Sequence, residues 1–409
     1  RKNLRFSAIQ FHLWHNENTR ASLQQNDILL QNAIDNNAKW CDNGIKRYFW
    51  MSDGKKIKAK LLKLLTKKHD IEFNLADAKK ILVLKYDRIG DMIVATPIFR
   101  ELKKKYPDIS ISVLASKGNR DVLKYNPYID NIYTNYKNSL LGDFSSLLNL
   151  RKERFDVCIE LEHSVIPHAI LRLRIINPKK VISIHKDGRY GVKGSELQLY
   201  DFYTKKDKKG HFGKIWLDTL NFFKVKPVSN KYDIFLSNEE RNKAKEFVSN
   251  IGSKIKIGIN LEGSFKEKQI QPEELKQICK GIYDNYSDIK IVILTTPNKS
   301  GKTNKIISKM GFNFVIPSYA TDTILDVAAL IEQLDLIITP DTSIVHVASA
   351  FDKPTVSIHE NNKDSYRLWK PISTLSKTVF AKSSYGLFDY NVDQIIKYSL
   401  DFIRKLEGK

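Results

Sequence analysis

Short runs of apolar residues, many of them β-branched, alternate along most of the chain with segments whose apolar positions repeat at helical spacing. From residue 80 the first five runs occupy residues 81–86, 109–116, 129–134, 155–161 and 179–185. Runs that are apolar throughout are typical of parallel strands covered by helices on both faces. Residues 211–225 have the pattern of a helix that closes this series, and residues 226–233 that of a linker.

The same alternation begins again after residue 253. Its apolar runs occupy residues 254–261, 289–296, 312–318, 335–340 and 354–360, and a last amphipathic helix is predicted near 391–407. Two successive series of similar length predict an α/β protein with two Rossmann-like domains that face a cleft. Because ligands of such folds bind beyond the carboxyl ends of the strands, the loops at those ends are the first place to look for chemistry.

Residues 1–79 lack this alternation and are rich in Asn, Gln and Lys, which we interpret as a mainly helical extension. Within it, residues 54–69 place four aliphatic side chains at helical spacing among seven lysines. Such a basic amphipathic helix fits an anionic membrane surface, and it equally fits a helix packed on its own protein with a solvated lysine face. His12 and His15 would share a helix face, but without a third ligand nearby helix packing is favoured over a metal site.

The composition narrows the class of protein. A chain of 409 residues exceeds what one compact core usually organises. Three widely spaced cysteines predict neither a disulfide framework nor a zinc site, and they fit a reducing cytosol. No apolar run reaches the ~18 residues of a membrane span. The net charge of +22 favours an anionic partner, such as a phosphorylated substrate, an acidic lipid or a nucleic acid.

The first candidate site follows the first apolar run, where residues 87–91 lead into a predicted helix. A strand, a glycine turn and a helix often bind nucleotide phosphates, yet no G-x-G-x-x-G is present, and this turn carries two carboxylates and an arginine. From the residues alone, Asp91 is either a functional carboxylate at the cleft or the N-cap of a helix over residues 92–105.

The second candidate site follows the run at 335–340, where Asp341 or Thr342 is placed to cap the next helix. The backbone N–H groups of Thr342 and Ser343 would then point out of the helix start, where a diphosphate binds well. His346 lies one turn further on the same face. The alternative is a plain cap, with His346 packed in the core.

The two sites together resemble glycosyltransferase family 9, the heptosyltransferases that build the inner core of lipopolysaccharide. The first family motif, R-x-G-D followed by a helix with a Thr-Pro pair, is matched by Arg88, Gly90, Asp91, Thr96 and Pro97. The second, D-[TS]-x-x-x-H-x-A followed by P-T, is matched by Asp341, Thr342, His346, Ala348, Pro354 and Thr355. The resemblance runs from about Lys80 to the end of the chain and leaves residues 1–79 uncovered.

This resemblance implies a GT-B fold and an inverting, metal-independent transfer of a sugar from a nucleotide-sugar, ADP-heptose above all, with Asp91 as general base. It implies that Lys85 and Arg88 lie on the acceptor side, where the acceptor is a phosphorylated core glycolipid. Lys85 would either stabilise Asp91 as an anion or hold an acceptor phosphate. The donor diphosphate would be bound by the second motif and by a lysine; the residues concerned are Asp341, Thr342, Ser343, His346 and either Lys266 or Lys268. Gln271 replaces the family's tryptophan after that lysine, and Lys268 lies one position from the usual register. Asn298 and Lys299 stand where many members have a ribose-binding glutamate.

The implied organisation has four parts: a basic extension over 1–79, an acceptor domain over 80–233, a donor domain over 234–385, and a terminal helix over 386–409 that crosses back to the first domain. A phosphorylated lipid-linked acceptor would place the enzyme in the cytoplasm, peripheral to the inner membrane.

Three other functions would each account for part of the sequence. Gly301, Lys302 and Thr303 match the end of a Walker A motif, but Thr296 stands at its first glycine and Pro297 interrupts the loop. A nucleic-acid binder would explain the positive charge, yet no RRM, KH, zinc-finger or basic-zipper pattern accompanies it. Some relatives of the family transfer heptose to protein hydroxyls with iron held by cysteines, which three scattered cysteines do not favour.

Overall fold

The structure, a computed structural model, describes residues 57–68, 71–135, 140–189, 191–263 and 265–408. The chain divides into two compact units, residues 1–61 and 62–409, and both sheets lie in the second unit. Helix α1, residues 57–65, spans the boundary. His12, His15 and most of the predicted extension lie outside the described residues.

The first sheet is parallel and six-stranded, and its strands follow one another in the order β3-β2-β1-β4-β5-β6. Its strands are β1 (Lys80–Leu84), β2 (Ser110–Ser116), β3 (Asn131–Asn135), β4 (Val157–Glu160), β5 (Lys180–Ser183) and β6 (Phe202–Tyr203). Its helices are α2 (Ile89–Lys105), α3 (Leu140–Lys152), α4 (Pro167–Ile176) and α5 (Phe212–Leu217), the last continued by a 3-10 helix at Asp218–Phe223. Further 3-10 turns cover Leu75–Asp77, Arg120–Leu123 and Gly194–Glu196.

The second sheet is also parallel and six-stranded, in the order β12-β11-β10-β7-β8-β9. Its strands are β7 (Ile255–Asn260), β8 (Ile289–Leu294), β9 (Val315–Pro317), β10 (Leu336–Pro340), β11 (Thr355–His359) and β12 (Ser376–Phe380). Its helices are α6 (Asn238–Ser249), α7 (Pro272–Asn285), α8 (Ser300–Met310), α9 (Ile324–Gln333), α10 (Ser343–Ala350), α11 (Lys363–Trp369) and α12 (Val392–Glu407), with 3-10 turns at Lys266–Lys268 and Pro297–Lys299. The predicted α/β class with two Rossmann-like sheets is confirmed.

Both sheets have the same strand order when each is numbered from its own first strand. In each, the first strand pairs with the second on one side and with the fourth on the other, as β1 does with β2 and β4 and as β7 does with β8 and β10. A parallel sheet opens a ligand-binding crevice where the strand order reverses in this way. The two candidate turns follow β1 and β10, so each lies at the reversal point of its own sheet.

Helix α2 keeps a proline in its interior because the neighbouring threonine replaces the hydrogen bond that the proline cannot make. The nitrogen of Pro97 carries no hydrogen for the carbonyl of Ile93, four residues earlier. The hydroxyl of Thr96 donates to that carbonyl at 2.7 Å. The same hydroxyl accepts from the backbone N–H of Asp233 at 2.8 Å. The Thr-Pro pair therefore ties α2 to the segment that leads into the second sheet.

Helices α2 and α10 pack directly against each other, which brings the two candidate turns together. One continuous apolar core includes Ile93 and Val94 of α2 as well as Ile344 and Val347 of α10.

The last helix, α12, packs on the second sheet. Its apolar side chains Ile395, Phe402 and Ile403 are buried in the core of that sheet. Ile396 lies beside Gly281 of α7, where an added Cβ would stand 2.4 Å from its Cδ1. The prediction that this helix crosses back to the first sheet is wrong, because its apolar face completes the second core instead.

Candidate active site

The turn after β1 places Asp91 in the first turn of helix α2. Helix α2 begins at Ile89, with Arg88 in extended conformation at the N-cap and no side-chain cap bond. Asp91 is therefore the third helical residue, and the alternative that it caps a helix over 92–105 is wrong. Its side chain keeps 17% of its surface exposed, so a substrate hydroxyl can reach it.

Lys85, at the carboxyl end of β1, connects the two aspartates of this turn. Its ammonium lies 2.8 Å from Asp87 Oδ2 and 3.2 Å from Asp91 Oδ1, and 4.4 Å above the ring of Trp216. Burial lowers the pKa of Lys85, but the charges of Asp91, Asp87 and Glu162 outweigh it and hold the pKa above its ordinary value. Lys85 therefore stays charged and holds Asp91 in place.

A second buried ion pair lies behind this turn, at the carboxyl end of β4. Glu160 and Lys186 form an ion pair, and neither side chain has exposed surface. The ammonium of Lys186 also donates to the backbone carbonyl of Glu162, and the N–H of Glu162 donates to Glu160 Oε1 at 3.2 Å. These two bonds fix the backbone of Glu162, whose side chain is buried.

On the second sheet, Thr342 rather than Asp341 caps α10. The Thr342 hydroxyl accepts from the N–H of Ile344 at 3.2 Å and from Asn260 Nδ2 at 3.2 Å. The amide of Asn260 also donates to Thr339 Oγ1 at 3.0 Å. These bonds fix the cap, so the first N–H groups of α10 point from a rigid turn.

Lys268 lies at this helix start among acidic side chains. Its ammonium is 3.0 Å from Glu360 Oε2 and 3.9 Å from Asp341 Oδ2. Asp341 Oδ1 in turn lies 3.8 Å from His359 Nδ1. Burial lowers the pKa of His359 more than the charge of Asp341 raises it, so the imidazole is neutral. The described structure thus brings a cation beside the predicted diphosphate position.

The two turns meet through Gly90 and His346. A Cβ added at Gly90 would stand 2.8 Å from His346 Cδ2 and 3.5 Å from Ser343 Cα, so glycine is needed for the two helices to approach. The imidazole of His346 also contacts Tyr232 and Trp369, at ring-centroid distances of 6.0 and 5.8 Å. Its Nδ1 is buried without a hydrogen-bond partner. Burial lowers the pKa of His346 to about 3, so this side chain is neutral. Its contacts with Tyr232 and Trp369 are packing contacts.

The remaining predicted residues lie around this centre. The guanidinium of Arg88 lies 5.8 Å from the ring centroid of Phe265, on the loop after β7. Lys266 begins the turn that holds Lys268, and its side chain is outside the described part of the molecule. Ser343 is the first residue of α10 and is half-buried.

Sequence reasoning missed Glu162, Trp216, His359 and Glu360. Glu162 and Glu360 carry a signal in hindsight, because each is a carboxylate just beyond the carboxyl end of a buried strand. Trp216 carries none, since its role depends on where α5 packs.

Among the described residues, no cluster of three or more His, Cys, Asp and Glu side chains is arranged to hold a metal ion. Within the same part of the chain, no helix is both long enough and apolar enough to cross a membrane.

Comparison with known proteins decides the family. The profile of glycosyltransferase family 9 (heptosyltransferase) matches residues 146–386, more than half of the chain. The chain belongs to glycosyltransferase family 9. It is a glycosyltransferase of the group that includes the lipopolysaccharide heptosyltransferases, and the family predicted from the two motifs is confirmed, although the first motif lies outside the matched residues.

Relatives within family 9 are distant in sequence and close in fold. Lipopolysaccharide heptosyltransferase 1 of Campylobacter coli is 23% identical over 296 residues, which is 68% of this chain and 83% of the relative. The crystal structure of a family 9 glycosyltransferase from Veillonella parvula DSM 2008 superposes with a TM-score of 0.68 at 22% identity, over 82% of this chain and 100% of that one. The structure of E. coli ADP-heptose lps heptosyltransferase II superposes with a TM-score of 0.63 at 17% identity. The superposition covers 80% of this chain and 99% of that one. The expected GT-B fold is confirmed.

Proposed function

We propose that this family 9 enzyme transfers heptose from ADP-heptose to a hydroxyl of a lipopolysaccharide core acceptor, with inversion at the anomeric carbon and without a metal ion. The observation that carries the proposal is the contact of Gly90 with Ser343 and His346. It sets the turn with Asp91 on one sheet next to a helix start on the other, as a transfer between two bound substrates requires. The choice of donor rests on the E. coli relative whose name includes ADP-heptose.

In the proposed reaction Asp91 is the general base. The acceptor oxygen attacks the anomeric carbon as the bond from that carbon to the diphosphate oxygen breaks, and the bonding pair leaves with the diphosphate. Asp91 takes the hydroxyl proton as the new glycosidic bond forms, which is a single displacement and hence inverts the centre. Lys85, 3.2 Å away, keeps the carboxylate oriented. Arg88 would contact the acceptor at the same turn.

The leaving diphosphate needs positive charge. In this proposal the charge comes from the start of helix α10 and from the lysine beside it. The N–H groups of Thr342 and Ser343 offer hydrogen bonds at the positive end of α10. Lys268 is held at the same place by Asp341 and Glu360, and Lys266 is its neighbour on the same turn. In this scheme residues 80–233 bind the acceptor and residues 234–385 bind the donor.

The basic helix α1 would hold the enzyme on the cytoplasmic face of the inner membrane. Leu64 exposes 62% and Leu65 38% of its surface, whereas Leu62 is buried. Exposed leucines among lysines suit an anionic lipid surface. Replacing Leu64 and Lys60 by glutamine should weaken sedimentation with phosphatidylglycerol vesicles, whereas Lys290→Gln, on the second sheet, should not. Equal vesicle binding by wild type, by the variant changed at Leu64 and Lys60, and by Lys290→Gln would refute this part of the proposal.

The donor assignment is tested by thermal unfolding in the presence of nucleotide-sugars. A ligand that binds the folded chain, at about 100 times its Kd, stabilises it by about 2.7 kcal/mol. ADP-heptose is expected to raise Tm, with UDP- and GDP-sugars as comparisons. Stabilisation by none of them would refute the donor class, and a nucleotide bound at residues 301–303 in a co-crystal would refute the site.

A further inference from the structure

A short loop after the edge strand β12, residues 382–388 and here called the β12 loop, reaches the donor turn from outside both sequence motifs. The N–H of Gly386 donates to Glu360 Oε1 at 2.6 Å. The next N–H, that of Leu387, donates to the backbone carbonyl of Glu267 at 2.7 Å. Two consecutive N–H groups of one loop therefore bind two separate segments of the second sheet.

Both of these segments determine where the ammonium of Lys268 lies. Glu360 Oε2 is 3.0 Å from that ammonium, and Glu267 precedes Lys268 in the same 3-10 turn. The backbone of Lys268 also lies against Gly263, where an added Cβ would collide with the carbonyl oxygen of the lysine. The side chain of Lys268 keeps 19% of its surface exposed, so a ligand can still reach it.

The β12 loop is itself well fixed. The N–H of Lys382 donates to the carbonyl of Phe388 at 3.2 Å and closes the loop. Inside it, the hydroxyl of Ser383 donates to the carbonyl of Tyr385 at 2.7 Å and accepts from the N–H of the same residue at 3.0 Å. The side chain of Leu387 is buried in the core of the second sheet. A loop held in this way can fix the groups that it binds.

Glycine is required at position 386 for two reasons. Its φ is +75°, which side-chain-bearing residues rarely adopt. An added Cβ would also stand 2.8 Å from the carbonyl oxygen of Glu267 and 2.7 Å from Cε2 of Phe388. The close approach of the loop to the turn of Lys268 therefore depends on Gly386.

We propose that the β12 loop is a positioning element of the donor site, which sets the ammonium of Lys268 at the start of α10 for the diphosphate of a nucleotide-sugar. A lysine has a flexible four-carbon stem, and fixing it costs rotamer entropy. Because the loop and Glu360 fix this lysine before the ligand arrives, less of that entropy is lost on binding. The ammonium has three N–H groups, so its pair with Glu360 leaves donors for the ligand.

The inference rests on the proposed function for the identity of the ligand. The hold of the loop on the turn of Lys268 is a separate property of the folded chain.

The first test is Gly386→Ala in the full chain. The new Cβ meets the carbonyl of Glu267, so the loop has to shift away from the turn of Lys268. The KM for the nucleotide-sugar is expected to rise roughly tenfold, since misplacing a group by about 1 Å can cost about a hundredfold. The KM for the acceptor should not change, because Asp91 belongs to the other sheet. An unchanged donor KM would overturn the proposal.

Gly311→Ala is the matched control. Gly311 follows helix α8 with a φ of +70°, and no described atom lies within 4 Å of an added Cβ. The control therefore introduces the same backbone strain without a collision. It should lower Tm and leave both KM values as in wild type. An equal rise of the donor KM in both glycine variants would assign the effect to lost stability and refute the positioning role.

Glu360→Asp keeps the inference testable if Gly386→Ala folds poorly. It retains the charge but shortens the side chain by one methylene, so the carboxylate cannot reach the N–H of Gly386 and the ammonium of Lys268 together. The donor KM should rise in the wild-type background and change little in a Lys268→Met background, which is the dependence that a double-mutant cycle measures. Equal rises in both backgrounds would show that Glu360 does not act through Lys268, against the proposal.

Failure of the loop and failure of the proposed function give different results. If Lys268→Met leaves the donor KM unchanged, Lys268 does not bind the diphosphate, and that part of the proposed function fails. Non-additive effects of Glu360→Asp and Lys268→Met on the free energy of unfolding, measured by denaturant titration, would then show that the lysine is still held. Additive effects on both the donor KM and the free energy of unfolding would overturn the inference itself.

Discussion

Replacing Asp91 by asparagine should separate catalysis from folding and from donor binding. Asparagine keeps the size of the side chain and its oxygen toward Lys85, but it cannot take a proton. A positioned general base contributes roughly 10²–10⁴-fold to a rate, which corresponds to about 3–5 kcal/mol of activation free energy. We expect turnover to fall by that factor.

The structure limits the effect of the same change on stability. The ammonium of Lys85 keeps its partner Asp87 at 2.8 Å, so no buried charge is left alone. Asp91 makes no cap bond that the helix would lose. The free energy of unfolding should therefore change by only about 1 kcal/mol, the scale of one hydrogen bond.

The assay is transfer from the nucleotide-sugar to acceptor at saturating concentrations of both, followed as release of the nucleoside diphosphate. Donor affinity, measured by calorimetry, should be nearly unchanged because Asp91 and the donor turn belong to different sheets. Asp87→Asn is a partial control, since Asp87 pairs with Lys85 and its loss should disturb the site less than loss of the base. Near-normal turnover by Asp91→Asn would refute the assignment.

Three more predictions follow from contacts described above. Gly90→Ala should lower Tm, with a destabilisation of about 1–3 kcal/mol, because the new Cβ meets the ring of His346 at 2.8 Å; an unchanged Tm would show that the two turns are farther apart. Thr96→Val should cost about 1–3 kcal/mol in denaturant titration by leaving a carbonyl and an amide unpaired, whereas Thr96→Ser should cost little. Lys268→Met should raise the KM for the donor while Lys290→Met leaves it unchanged, and equal KM values would exclude a diphosphate contact.

The fold was largely predictable because buried parallel strands carry a strong pattern. Each of the ten apolar runs overlaps a strand of the structure, and most runs are longer than their strand, as residues 312–318 are compared with Val315–Pro317. The two missed strands lie at sheet edges: β6 has two residues, and β12 buries only Val379. Edge strands have weaker patterns because one side and much of one face remain in contact with water.

The site was predictable only where its residues are close in sequence. Lys85, Asp87 and Asp91 share one turn, so their neighbourhood was visible in the chain. Glu162 comes near this turn only through the pairing of β1 with β4. The destination of α12 was misjudged for the same reason, since an amphipathic pattern shows that a helix packs without showing on which sheet.

The close approach of Gly90 to His346 also limits how the protein can move. Helices α2 and α10 touch there with no space for a side chain, and the core continues across them. Separating them would expose apolar surface, so a change in the angle between the two sheets has to rotate about this contact. Displacement would then be smallest near the pivot, where Asp91 and Ser343 lie, and largest at the outer strands. Such a rotation would widen the outer rim and leave the distance between Asp91 and Ser343 almost unchanged.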